Sequence, residues 1–159
     1  DGRTLAWLTE EELTCMQIRK GTLTAEERLI MESHAAMTRK ILSKVRFNKR
    51  YSEVIRFASQ HHEYLNGSGY PDHLTAGDLA LETRILTVVD VFDALTCTDR
   101  PYKTPIPRPR AFAILHDMAK DGQIEDDLVT RLEEALRDIP QETIERMAQA
   151  DTWGTMPLT

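Results

Sequence analysis

The sequence has few cysteines, few aromatic side chains and no long hydrophobic run. Among its 159 residues are two cysteines, and 6% of the residues are aromatic. Cys15 and Cys97 are too few for the disulfide framework of a small secreted domain, so a reducing cytoplasm is the predicted compartment. No apolar stretch approaches the roughly 20 residues that cross a bilayer, and the start has no apolar signal-peptide core. We therefore expect no membrane span in this segment.

The sequence also lacks an excess of positive charge. Its formal net charge at pH 7 is −6. This balance argues against a general DNA-binding surface, which is normally basic. A phosphate-bearing substrate would need metal ions or a local basic patch to offset the acidic field.

No segment alternates with the period of two that is typical of β-strands, so an all-α fold is predicted. The length suits one domain with a sizeable core, built from about five to seven helices. We expect an N-terminal arm over residues 1–23 with a short helix at about 9–17. A helical domain is expected over residues 24–137, followed over 138–159 by a last polar helix and a tail.

Thr24 and Glu27 fit a capping box at the start of a helix over about residues 25–45. Within it, Ile30, His34, Met37 and Ile41 form one stripe, so His34 is expected to be buried among apolar neighbours. A buried imidazole needs partners for both ring nitrogens. Taken alone, His34 is better explained by core packing than by metal binding.

The most informative stretch runs from His61 to Pro71. It predicts the end of a helix that carries two adjacent imidazoles, followed by a loop rich in glycine. Neighbouring helical positions differ by about 100°, so His61 and His62 would point apart and suit two adjacent metal ions. Gly67 suits a left-handed cap, and Gly69 allows backbone N–H groups to approach closely around Tyr70 without a Cβ clash. The alternative is a pair of hydrogen-bonded histidines beside an ordinary turn.

Asp90 stands in the middle of the most apolar segment. Burying a bare carboxylate costs several kcal/mol, so it must be paired or bound to metal. Three possibilities are open: pairing with Arg84 across the helix, pairing with an arginine from elsewhere, and metal binding. The apolar stripe of this helix is predicted to comprise Leu81, Ile85, Val88, Phe92 and Leu95.

Alternating prolines after this helix favour an extended connection over residues 104–110. Near it, Arg100 and Lys103 are candidates for a phosphate clamp, whereas Arg108 and Arg110 are expected to be solvated. Two amphipathic helices follow. Their apolar positions are Ala111, Ile114, Leu115 and Met118 in the first, and Leu128, Leu132 and Ala135 in the second.

In order and spacing, these features resemble the HD-GYP family, a branch of the HD superfamily of metal-dependent phosphohydrolases. The features are His34, His61-His62-Glu63, Gly67-Ser68-Gly69-Tyr70-Pro71, Asp90 with Asp93-Ala94-Leu95, and Asp99-Arg100-Pro101-Tyr102-Lys103. The resemblance covers residues 20–135 and implies an HD-domain-like helical bundle. It implies hydrolysis of the bacterial messenger cyclic di-GMP to pGpG, in some members onward to GMP.

The resemblance also implies a centre of two or three divalent ions. Iron or manganese is expected first, and the donor set also accepts nickel or zinc. Carried over by position, the metal ligands are His34, His61, His62 and Asp90. Arg100 and Lys103 match residues that hold substrate phosphate, and Gly69 and Tyr70 belong to the substrate loop. Asp90 and Glu63 are the expected catalytic residues, and Glu63 is expected to orient a histidine.

The sequence departs from the family pattern in two places. No His-Asp pair or earlier histidine precedes His34, and Asn66 stands where an aspartate is usual. His116-Asp117 follows Asp90, so by order it is not that pair and is expected at the surface. We expect the chain to be the C-terminal portion of such a domain, incomplete on its N-terminal side.

The alternative function is a catalytically silent module. It would bind a nucleotide or a signalling partner such as a diguanylate cyclase domain. An attached sensor domain is a further expected partner, and self-association through apolar surface is expected if a core helix is missing.

Overall fold

The structure is a computed structural model that describes residues 9–17, 23–97, 105–140 and 143. It divides into two compact units, residues 1–59 and residues 60–159. The described residues contain helices and no named strand, which confirms the predicted all-α class. No described helix is long and apolar enough to cross a bilayer. The helices are α1 (Glu10–Met16), α2 (Ala25–Leu42), a short 3-10 helix (Lys49–Tyr51), α3 (Val54–Gln60), α4 (Leu81–Thr96), α5 (Arg108–Lys120) and α6 (Asp126–Leu136).

In the first unit, α1 and α2 both begin at a capping box. The Thr24 side chain accepts from the Glu27 amide, and the Glu27 carboxylate accepts from the Thr24 amide at 2.8 Å. Thr9 and Glu12 make the same reciprocal pair before α1. Each box satisfies backbone donors that a helix start leaves unpaired. The predicted helix starts are therefore confirmed, although α2 ends at Leu42 rather than near residue 45.

The predicted burial of the α2 stripe is wrong. Ile30 is 73% exposed, Met37 51% and Ile41 62%, and His34 is exposed as well. Only Ala35 is buried among the residues of α2. A helical period shows which residues share a face, but burial needs another surface packed on that face.

The core of the second unit lies where α4, α5 and α6 pack together. The Phe92 ring of α4 lies against the Phe112 ring of α5, with ring centroids 4.9 Å apart. Val129 is the buried residue of α6. The core cluster comprises Val88, Phe92, Ala111, Phe112, Leu115, Ile124 and Val129. These three helices form the scaffold that carries Asp90.

The predicted apolar stripe of α4 is correct for only part of the helix. Val88 and Phe92 are buried, but Leu81 is 56% exposed and Ile85 42% exposed. Ile85 lines an open groove with Val89 of α4 and Leu132 of α6. The buried face near the start of α4 carries Thr83 and Thr87 instead, which a hydropathy pattern does not select.

The predicted extended connection holds only for residues 105–107, because α5 begins at Arg108. Pro109 lies in the first turn of α5, where its missing N–H costs no helical hydrogen bond. Arg108 is not solvated as predicted: its Nη1 donates to the carbonyl oxygens of Ile139 at 2.7 Å and Leu136 at 3.3 Å. It satisfies carbonyls at the end of α6. Arg110 is exposed, as predicted.

His116 joins α5 to α6 through both nitrogens of its ring. Nδ1 lies 2.7 Å from Asp126 Oδ1, and Nε2 lies 3.5 Å from Glu133 Oε2. The hydrogen bond to Asp126 raises the pKa of His116, opposed by burial and helped by Glu133. The predicted surface position is correct for Asp117, whereas His116 is only 31% exposed.

We expect His116→Gln to weaken the fold in a pH-dependent way. Because the folded-state pKa is raised, the stabilisation is complete below the unfolded value of about 6.5 and disappears as pH rises through the folded value. The variant should lose up to about 1 kcal/mol of unfolding free energy near pH 6, and less near pH 9. Urea unfolding at both pH values measures this, and an equal loss at both would contradict it.

Several predictions lie outside the described residues. They concern Trp7 in the arm, Arg100 and Lys103 in the proposed phosphate clamp, the last helix over residues 141–150 apart from residue 143, and Trp153 in the tail.

Candidate functional site

The two adjacent histidines lie just after a helix rather than within it. Helix α3 ends at Gln60, and the Glu63 amide donates to the Gln60 carbonyl at 2.9 Å in the turn that follows. The prediction that His61 and His62 occupy the last helical turn is therefore wrong by one and two residues. The glycine-rich loop ends the helix earlier than the apolar spacing indicated.

The histidine rings lie close together. The centroids of His61 and His62 are 4.0 Å apart with their planes inclined by 43°, and the Tyr70 ring lies 4.8 Å from that of His62. The predicted splay of about 100° does not apply, because it assumed helical geometry at both positions. Two imidazoles thus meet beside one aromatic ring, and both are half-buried.

Asp90 faces His62. The Asp90 Oδ2 atom lies 3.7 Å from His62 Nδ1. Arg84, the alternative partner that the sequence left open for Asp90, instead pairs with Glu125 at 3.2 Å and donates to two backbone carbonyls. Arg84 is therefore not the ion-pair partner of Asp90. The carboxylate is directed to the histidine pair.

These donors fit a divalent transition-metal ion. Two atoms each about 2.1 Å from one ion are roughly 3.0–3.4 Å apart in tetrahedral or octahedral geometry, so the observed 3.7 Å separation closes with a small side-chain movement. His61 adds a second ring nitrogen within 4.8 Å of that of His62. Imidazole and carboxylate donors together suit iron, manganese, nickel or zinc.

Gly69 is required by the packing of the loop onto the histidine turn. A Cβ at Gly69 would lie 2.5 Å from the His62 carbonyl oxygen and 2.5 Å from Glu63 Cα, and would also overlap the Tyr64 amide nitrogen. The Tyr70 amide donates to the same His62 carbonyl at 3.1 Å. The predicted close approach at Gly69 is confirmed. Gly67 has the predicted left-handed conformation, with φ 76°, but in a turn rather than at a helix end.

Glu63 holds this loop instead of orienting a histidine. Its side chain is 1% exposed, and its two oxygens accept from the Asp72 amide at 2.6 Å and the Leu74 amide at 2.9 Å. The predicted contact with a histidine is therefore corrected, because both carboxylate oxygens bind backbone amides. A buried carboxylate needs such donors to offset its desolvation.

The sequence also singled out His34 and His73. His34 belongs to α2 in the first unit, where its Nδ1 lies 2.6 Å from the Met31 carbonyl oxygen. A carbonyl only accepts, so Nδ1 carries the proton, and in a neutral ring the remaining lone pair is on Nε2. His73 is exposed, as predicted.

Tyr64 is a neighbour of Asp90 that the sequence did not reveal. Burial, with a further contribution from the Asp90 charge, raises the pKa of its phenol. Its position in the loop carries no periodic signal, so only the fold shows its proximity to Asp90. The same is true of the Arg84–Glu125 pair, whose partners are 41 residues apart.

Comparison with known proteins assigns the family. The sequence model of the HD domain family matches residues 11–128 of this chain. The chain belongs to the HD domain family. This agrees with the HD-GYP resemblance, and HD domains are metal-dependent, as the donor set indicates.

Relatives of this HD domain chain include named phosphodiesterases. It is 35% identical over 124 residues to 3'3'-cGAMP-specific phosphodiesterase 3 of Vibrio cholerae, covering 78% of this chain and 26% of the relative. It is 38% identical to cyclic di-GMP phosphodiesterase response regulator RpfG of Xanthomonas campestris, covering 69% and 28%. A cyclic di-GMP phosphodiesterase of Thermotoga maritima is 36% identical, covering 64% and 27%. The chain thus spans about a quarter of the length of these relatives.

Proposed function

We propose that the chain is part of a metal-dependent phosphohydrolase that cleaves a cyclic dinucleotide in bacterial signalling. The proposed substrate is cyclic di-GMP, with pGpG and then GMP as products. The observation that carries the proposal is the 3.7 Å approach of Asp90 to His62, beside a second imidazole. The names of the relatives support the substrate class.

The proposed metal ligands are His34, His61, His62 and Asp90. Three of them, His61, His62 and Asp90, belong to the second unit. The assignment of His34 rests on the sequence resemblance. We propose two or three ions, with iron or manganese preferred. A bound divalent ion supplies a hydroxide nucleophile at neutral pH and offsets the charge that develops on the attacked phosphodiester.

The protein side chains contribute position and charge. Asp90 brings a negative charge that favours cation binding, and the Tyr70 ring packs on His62 and restricts rotation of its imidazole. Glu63 fixes the loop that carries Gly69 and Tyr70. Arg100 and Lys103 are proposed to neutralise substrate phosphate.

Product analysis tests this function. We expect the full-length protein with Mn²⁺ or Fe²⁺ to convert cyclic di-GMP to pGpG and to lose that activity when a chelator is added. Because relatives carry either substrate name, 3'3'-cGAMP is the matched comparison. Faster cleavage of 3'3'-cGAMP than of cyclic di-GMP would identify 3'3'-cGAMP as the preferred substrate. Cleavage of neither in the presence of bound metal would contradict the proposed function.

A catalytically silent module is the second candidate. A His-Asp pair just upstream in the parent gene would favour the phosphodiesterase, whereas its absence there would favour this module. Such a module would bind the intact nucleotide, or a diguanylate cyclase or sensor domain, in the cytoplasm, and would associate with itself through exposed apolar residues. Binding of cyclic di-GMP without any product identifies this candidate.

A further inference from the structure

The loop between His62 and Asp90 has no regular secondary structure over residues 64–80. Without a helix or a sheet ladder, its shape depends on individual hydrogen bonds. Two charged side chains, Glu63 and Arg84, lie at its two ends and bind its backbone. This loop therefore connects the turn bearing His62 to the helix bearing Asp90.

Glu63 binds the middle of the loop from its start. Its carboxylate accepts from the Asp72 and Leu74 amides at 2.6 and 2.9 Å. Hydrogen bonds to an ionised acceptor are the stronger kind, and this one is buried.

Arg84 binds the last part of the loop from α4. Its Nη2 donates to the Ala76 carbonyl at 2.6 Å, and its Nε donates to the Leu79 carbonyl at 3.0 Å. Its Nη1 lies 3.2 Å from the Glu125 carboxylate, just before α6. The planar guanidinium holds these three acceptors in a fixed arrangement that a lysine ammonium does not reproduce.

Glu63 and Arg84 bind the backbone of the same loop. Glu63, Arg84 and Glu125 line the same small cavity. Leu65 and Gln123 line this cavity as well, and the Leu65 amide donates to the Gln123 carbonyl at 2.8 Å. The loop is thus attached to α4 and to the turn between α5 and α6. Arg84 lies six residues before Asp90, about 9 Å along the helix axis.

We propose that Arg84 is a positioning residue for the metal centre. It touches none of the proposed ligands, but through the loop backbone it sets where the His62 turn lies relative to Asp90. This inference rests on the proposed function only in taking His62 and Asp90 as metal ligands. It assigns Arg84 a role in metal affinity that its ion pair with Glu125 alone would not give.

Mn²⁺ titration of the full-length protein tests the proposal. Arg84→Met keeps the aliphatic stem but removes all three interactions, and should weaken Mn²⁺ binding about 10- to 100-fold, as is typical when support of metal ligands is lost. Arg84→Lys should recover only part of the affinity. In the turnover assay, kcat at limiting Mn²⁺ should fall while KM for the dinucleotide stays constant, because Arg84 does not touch substrate.

Val129→Ala is the matched control for general destabilisation. Val129 is fully buried in the same unit but belongs to the core of α6 rather than to the loop. It should lower the melting temperature without changing Mn²⁺ affinity by more than about twofold. Wild-type affinity in Arg84→Met, an equal loss in Val129→Ala, or no Mn²⁺ binding by the unsubstituted protein would overturn the positioning role. Mn²⁺ binding that depends on Arg84 without any dinucleotide turnover would contradict the proposed function alone.

Discussion

Replacing Asp90 by alanine is expected to abolish most dinucleotide turnover and to lower the bound metal content. Asp90 supplies the carboxylate that faces His62 at 3.7 Å, so its loss removes both a donor atom and a negative charge. The rate should fall about 100- to 1,000-fold, the scale of losing one charge-stabilising contact in an active site. His62→Ala should have a similar effect. Elemental analysis and product formation measure both losses.

The fold should survive these changes, because the Asp90 side chain is 39% exposed and lies outside the core cluster. Glu82→Ala is the matched carboxylate control, exposed on the same helix. His73→Asn is the histidine control, and asparagine tolerates the positive φ of 55° at that position. Both controls should retain metal and activity. Full activity in Asp90→Ala would refute the site assignment.

Adding one methyl group at Gly69 is expected to be as damaging as removing a ligand. The new Cβ would meet the His62 carbonyl and Glu63 Cα at 2.5 Å, and these are backbone atoms that cannot rotate away. Gly69→Ala should cost about 3 kcal/mol or more of unfolding free energy, the upper end of what overpacking costs. It should also displace the His62 turn and weaken metal binding. Denaturant unfolding and metal titration measure the two effects.

Gly77→Ala is the control within the same loop. Nothing lies within 4 Å of the position that its Cβ would occupy. This substitution should be neutral, or stabilising by about 0.4–1 kcal/mol through the unfolded chain. Equal unfolding free energies for the two alanine variants would show that the close approach at Gly69 is not maintained in solution.

The features predicted correctly from sequence are those that depend on neighbouring residues. A capping box joins residues three apart, so Thr24 and Glu27 were sufficient to place the start of α2. The close approach at Gly69 followed from glycine chemistry in a short loop. The resemblance that brought His61, His62 and Asp90 together likewise depends on local motifs.

Several features that the sequence mispredicted or left open depend on residues distant in sequence. Helical spacing placed His34 on an apolar face but could not show what covers that face, and His34 is exposed. Arg84 was near Asp90 in sequence, yet its partner Glu125 is 41 residues away. Glu63 was assigned to a histidine because it adjoins one, whereas its carboxylate binds amides that come close only when the loop folds back.

The central claim is that His62 and Asp90 bind a common metal ion. Anomalous diffraction from crystals of the full-length protein grown with Mn²⁺ tests it most directly. The account predicts an anomalous peak about 2.0–2.2 Å from a ring nitrogen of His62 and from an Asp90 carboxylate oxygen. Metal-saturated crystals with no peak between these two side chains would contradict it.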